Sequence, residues 1–312
     1  MWLLNARSRE LEEYIGDRIP PYAILSHTWS DLEITFQGLA KPDHATEPAY
    51  AKIEGCCQQA LRDGHEYVWI DTCCIDKSSS AELSEAINSM YQWYKGSRVC
   101  YVYLADVSAS DDPFREGSEF RRSRWFKRGW TLQELLAPSN LCFLDKNWDH
   151  LLELRLLMKP RESSRVMWSA FNLKSEWALL SQITGIPAEA IGGHLSPFCA
   201  AARLGWAAER KTTRVEDVAY SLLGLLDVNM PLLYGEGHKA FRRLQEEILK
   251  TRDDDSILAA GYGLTTDEAG GHIRVLADSP SAFRHCQDFQ NQYSSAFRVE
   301  RYLGGTTAMA SA

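Results

Sequence analysis

Four short apolar runs, each separated from the next by a stretch of helical periodicity, constrain the fold of this chain more than any other feature. They lie at residues 22–26 (YAILS), 67–71 (YVWID), 99–104 (VCYVYL) and 141–144 (LCFL). Runs this short and this uninterrupted read as strands, and strands apolar on both faces belong in a parallel sheet covered above and below. Strands alternating with helices imply right-handed βαβ units. The predicted class is therefore α/β, an open parallel sheet flanked by helices.

The intervening segments carry matching signals. Over residues 49–62, Ile53, Cys56, Cys57, Ala60 and Leu61 fall at helical spacing, and Gly64 is placed to end the helix. Ser79 with Glu82 three residues on forms a capping box, opening a helix that buries Leu83, Ile87, Met90, Tyr91 and Tyr94 and stops at Gly96. Residues 125–136 are predicted as one helix closed by Pro138.

The second half reads as mainly helical. Helices are expected at 176–183, at 187–191 with Pro187 in the first helical position, at 215–226 and at 239–250. In the last, Phe241, Leu244, Ile248 and Leu249 share a face. Residues 158–169 read as a linker or irregular loop, residues from 253 onward as strand or loop, and 304–312 as a cut or frayed terminus. The division expected is 1–150 for the α/β domain and 151–312 for a mainly helical region packed on it.

Charge and cysteine usage narrow the classes. A formal charge of -8 over 312 residues argues against a protein built to grip nucleic acid. The basic run Arg121, Arg122, Arg124, Lys127, Arg128 reads as a solvated loop and helix start, with a phosphate or partner contact as the alternative. Eight cysteines lack any C-x-x-C, so they read as reduced thiols inside a core and no metal site is expected. The N-terminus lacks the pattern of a signal peptide, and no stretch reaches the ~18 apolar residues of a membrane span. A soluble, cytoplasmic protein without membrane contact is expected.

Ligands of open parallel sheets bind beyond the carboxyl ends of the strands. Polar residues stand there in this chain: Ser26, His27 and Trp29 after the first strand, Asp71 and Cys73 after the second, Asp106 and Asp145 after the third and fourth. Taken singly, each is explained by capping of a turn or helix; taken together they favour a ligand crevice. No G-x-S-x-G, G-x-x-x-x-G-K-[ST] or G-x-G-x-x-G follows a strand, so hydrolase elbows and P-loops are not supported. A Cys73 or Cys74 nucleophile paired with His27 is the alternative to structural thiols.

Three ordered stretches resemble the motifs of fungal HET (heterokaryon incompatibility) domains: YAILSHTW at 22–29, YVWIDTCCIDK at 67–77 and RGWTLQELLAP at 128–138. The stretch at 212–248 resembles the segment that commonly follows such domains. One departure is Ser30, where the family usually has Gly. HET domains are in turn distantly similar to TIR domains. That likeness implies a flavodoxin-like sheet and a role in fungal non-self recognition and programmed cell death, exerted through catalysis or through assembly with like domains and other cell-death signalling proteins. For the catalytic case it implies cleavage of NAD, or a related nucleotide, as substrate rather than as cofactor. NAD-cleaving TIR domains carry a Trp four residues before a catalytic Glu. Trp130 and Glu134 have that spacing, which makes Glu134 the expected catalytic carboxylate. Ser26, His27, Trp29, Asp71, Cys73 and Trp130 are the expected nucleotide-binding residues.

Overall fold

A computed structural model describes residues 1–16, 18–41, 43–155, 175–263 and 275–290. Its strands are β1 (Trp2–Asn5), β2 (Leu11–Glu13), β3 (Ala23–His27), β4 (Tyr67–Trp69), β5 (Val99–Tyr103), β6 (Asn140–Leu144) and β7 (His150–Arg155). Its helices are α1 (Phe36–Leu39), α2 (Tyr50–Arg62), α3 (Ser80–Gly96), α4 (Glu119–Arg122), α5 (Thr131–Leu136), α6 (Ser175–Thr184), α7 (Ala188–Ile191), α8 (Ala200–Gly205), α9 (Asp217–Tyr220), α10 (Leu223–Leu226) and α11 (Lys239–Thr251). The predicted linker at 158–169 and the terminus at 304–312 lie outside the described residues.

The seven strands form one sheet in the order β2-β1-β4-β3-β5-β6-β7. The four predicted strands are its parallel core: β3 pairs with β4 and β5, and β5 with β6, all parallel. The expectation of a wholly parallel sheet is corrected at both edges, where β1, β2 and β7 pair antiparallel. Strand β7 alternates exposed and buried residues, as an edge strand with one wet face does.

Neighbouring residues of β5 show that both faces are covered. Cys100 Sγ reaches the carbonyl of Glu134 in α5, whereas the Tyr101 phenol donates to Asp63 at the end of α2, 2.6 Å away. Successive strand side chains point to opposite faces, so α5 and α2 cover different ones. Helix α3 lies against Trp69 of β4, whose ring meets those of Trp93 and Tyr94 edge-on. All eight cysteines are free and buried, as the core reading expects.

Two predicted helices are broken. Residues 125–136 resolve into a 3-10 turn at Arg124–Lys127, an extended Arg128, and α5 starting only at Thr131. The cause is tertiary: Gly129 N donates to Lys211 O at 2.9 Å and Lys211 N to Lys127 O at 2.7 Å. A side chain at 129 would overlap Thr212, so glycine permits this pairing. Residues 215–226 likewise divide into α9 and α10. Pro187 caps α7 rather than occupying its first turn. From 253 onward the described residues form 3-10 turns at Asp255–Ala259 and Pro280–Phe283. The capping box is half made: Ser79 Oγ accepts from Glu82 N, but the Glu82 carboxylate reaches back to Asp76 N.

The C-terminal helices dock on the sheet unit through close approach. A methyl group at Gly224 of α10 would overlap the Cβ of Tyr91 in α3. Gly224→Ala is therefore expected to lower stability by about 1–3 kcal/mol through overpacking, read as a lower urea midpoint; an unchanged midpoint would rule out a tight α10–α3 contact.

Candidate functional site

The chain leaves β3 toward β4 on one side and returns to β5 on the other. The carboxyl end of β3 is thus the switch point at which crevices open in such sheets. Ser26 and His27 end this strand, and the pleat sends their side chains to opposite faces.

On the α5 face, the Ser26 hydroxyl donates to Glu134 Oε2 at 2.5 Å and accepts from Trp125 Nε1 at 2.8 Å. All three side chains are buried. Burial pushes the Glu134 carboxyl up to about 8, against the opposing hydrogen bond from Ser26. At neutral pH it therefore carries a proton in this conformation, since desolvation disfavours the charged form.

On the other face His27 is buried with no hydrogen bond at Nε2. That atom stands 3.9 Å from both Glu33 Oε2 and Asp71 Oδ1. Asp71 Oδ1 is also buried and unpartnered, while Oδ2 accepts from Trp29 Nε1 at 2.8 Å. Burial, reinforced by the charge of Lys52, pushes His27 down to about 3, so the imidazole is neutral. Unmade hydrogen bonds at buried polar atoms cost roughly 1–3 kcal/mol each, which makes the gap between His27 and Asp71 a place for a polar group.

Trp29 is exposed, its ring fixed by the bond to Asp71 and by Lys77 Nζ lying 3.8 Å from its centroid. Glu33 pairs with Lys52 at 2.5 Å and accepts from Ser30 N at 2.7 Å. Ser30, the departure from the resembled motif, adopts no left-handed backbone, and its hydroxyl donates to Leu32 O. Serine is therefore tolerated without strain in this loop.

The structure thus brings Ser26 to Glu134, and His27 to Asp71 and Trp29. It places two others differently. Trp130 caps α5 from outside, and its Nε1 donates to Asp217 Oδ2 at 3.3 Å, so Trp125 is the indole linked to Glu134. The Cys73 thiol is buried and raised well above its ordinary range by its bond with Cys74 and by burial, which withholds the thiolate that nucleophilic attack needs. Asp106 and Asp145 follow the turn-capping reading: they accept from Arg124 N and from Asn147 and Asp149 N, respectively.

Sequence reasoning missed Trp125, Glu33 and Lys77, and named Arg128 only within the basic run, with a phosphate or partner contact as the alternative. Lys77 closes the second motif and Arg128 opens the third, so the motif edges were a usable signal. Glu33 and Trp125 carried none.

The family model described as heterokaryon incompatibility protein (HET) matches residues 22–117, a span that ends before Trp125 and Glu134. Over 260 residues the chain is 44% identical to the vegetative incompatibility protein HET-E-1 of Podospora anserina. That alignment covers 80% of this chain but 18% of the relative, so the chain spans under a fifth of that protein's length. No solved structure matches the chain. Among the described residues, no helix is long and apolar enough to cross a membrane.

Proposed function

Because this chain belongs to the heterokaryon incompatibility (HET) family, we propose that it is a module of fungal incompatibility and cell death that cleaves NAD, or a related nucleotide, at the nicotinamide–ribose bond. The observation that carries the reading is the position of Glu134, bonded to Ser26 at the switch point of the parallel core. The parallel strands, numbered in chain order, run 2-1-3-4, which agrees with a flavodoxin-like, TIR-like arrangement.

Breaking the bond to nicotinamide builds positive charge on the ribose as an oxocarbenium-like transition state. The Glu134 carboxylate stabilises that charge, nicotinamide leaves as a neutral molecule, and water adds to the ribose carbon it vacates, releasing a proton to solvent. Glu134 must first lose its proton and exchange Ser26 for the substrate. His27 and Asp71 offer their unpartnered atoms to ligand hydroxyls, and Trp29 offers a ring face for stacking.

The test is release of nicotinamide from NAD by concentrated protein. Wild type is expected to be active, with Glu134→Ala and Glu134→Gln each about 10²-fold slower or worse. A wild type that stays silent even when clustered on a surface removes catalysis. The second reading, favoured by the burial of Glu134 and its bond to Ser26, is a non-catalytic module that signals by oligomerising. It requires cell death to survive Glu134→Gln.

A further inference from the structure

Two cations at this edge make no ion pair among the described residues. The guanidinium of Arg128 is half-buried and makes no hydrogen bond or ion pair among the described residues, and its charge acts on both His27 and Glu134. Three of its four companions in the basic run are engaged, whereas Arg124 is exposed: Lys127 pairs with Glu209, Arg121 bonds Pro113 O and Phe114 O, and Arg122 bonds Ser118 O. The Arg128 backbone, by contrast, is fixed, because its carbonyl accepts from Arg210 Nη1 at 2.9 Å and from Thr131 Oγ1 at 3.0 Å.

Lys77 is half-buried too, lies over Trp29, and makes no ion pair among the described residues; its charge also acts on His27. Of the carboxylates nearby, Glu33 pairs with Lys52, while Asp71, bonded to the neutral indole of Trp29, acts on Lys77 only from beyond ion-pair distance. Such an excess of positive charge stands out in a chain of net charge -8. It converges on an edge that separately holds two buried, unpartnered polar atoms, His27 Nε2 and Asp71 Oδ1.

We propose that Arg128 and Lys77 form the phosphate-binding half of the crevice, so that its ligand is a nucleotide carrying a diphosphate. Arginine's planar fork suits two phosphate oxygens at once, and lysine supplies a point charge. The assignment rests on the nucleotide reading above but requires no catalysis.

Calorimetric binding of ADP, adenosine and inorganic pyrophosphate tests it. Wild type is expected to bind ADP at least about tenfold more tightly than adenosine, with affinity falling as salt is raised. Arg128→Ala and Lys77→Ala should each weaken ADP about tenfold or more, with Arg128→Lys intermediate and melting temperatures showing that each variant is folded. No ADP binding by wild type, unchanged affinity in both alanine variants, or adenosine matching ADP would overturn the proposal. Pyrophosphate binding as tightly as ADP would overturn its nucleotide half. If ADP binds as expected while NAD stays intact, the catalytic reading alone falls.

Discussion

Trp125→Ala is expected to cost about 3–5 kcal/mol of stability, enough to consume much of the roughly 5–15 kcal/mol that holds a domain folded. The ring is fully buried. It packs edge-on against Phe126 and Phe143, with centroids 5.1 and 5.7 Å away. Its truncation therefore opens a cavity between the sheet and the segment before α5, and also removes the one hydrogen bond donated to Ser26 Oγ among the described residues. Trp125→Phe separates the two effects. It keeps most of the apolar bulk and loses the indole N–H, so its smaller cost reports the unsatisfied hydroxyl. Urea unfolding followed by circular dichroism gives both numbers; a loss below about 1 kcal/mol for the alanine variant would contradict the packing described here.

The second large effect is on the pH dependence of stability, and its sign follows from two buried groups. Glu134 is raised from 4.5 to about 8, so from pH 4.5 to 8 the folded state holds a proton that the unfolded state has released. Its contribution is complete below pH 4.5 and is lost as pH rises toward 8. His27 is lowered from 6.5 to about 3, so from pH 3 to 6.5 the unfolded state holds the extra proton. Its contribution is complete above pH 6.5 and is lost as pH falls toward 3. Between 4.5 and 6.5 the two slopes cancel. The expected joint contribution of these two groups is a plateau on the acid side of neutrality, falling on either side by roughly 1.4 kcal/mol per pH unit. The stability difference between wild type and Glu134→Gln isolates the carboxyl: it should decline by on the order of 5 kcal/mol from pH 4.5 to 8. A flat difference would mean that Glu134 ionises normally, and hence is solvated.

The contrast between what could and could not be read from the sequence has a physical basis. The strands holding Ile24, Val68, Val102 and Phe143 are buried on both faces, and burial writes itself locally as an unbroken apolar run. The alternation of β7 is equally local, with Leu152 and Leu154 buried on either side of exposed Glu153. The break at Gly129 is of another kind. It is decided by Lys211, 82 positions away, and nothing within residues 125–136 announces it. That break also settles which indole meets Glu134. Helical spacing favours Trp130, four residues upstream, but the turn at Arg124–Lys127 swings Trp125 to Ser26 and leaves Trp130 to Asp217. Ser26, His27 and Asp71 were legible because strand ends in a parallel sheet converge by topology, whereas Glu134, on α5, was legible only through the family resemblance. The unpaired state of Arg128 and Lys77 was not, because pairing depends on every neighbour.

The peptide pairing between Lys127–Gly129 and Lys211 bears on where this molecule can be cut. A fragment ending at residue 150 would contain every strand of the parallel core and every residue assigned to the crevice. It would lack both backbone hydrogen bonds to Lys211, the Arg210 guanidinium that grips Arg128 O and Thr131 Oγ1, and the Asp217 carboxylate that receives Trp130. Arg128 and Glu134 are thus set in place by residues 210–217, and the smallest unit able to keep them there extends past Asp217. The sheet supplies the floor of the crevice, while the helical half supplies its lock.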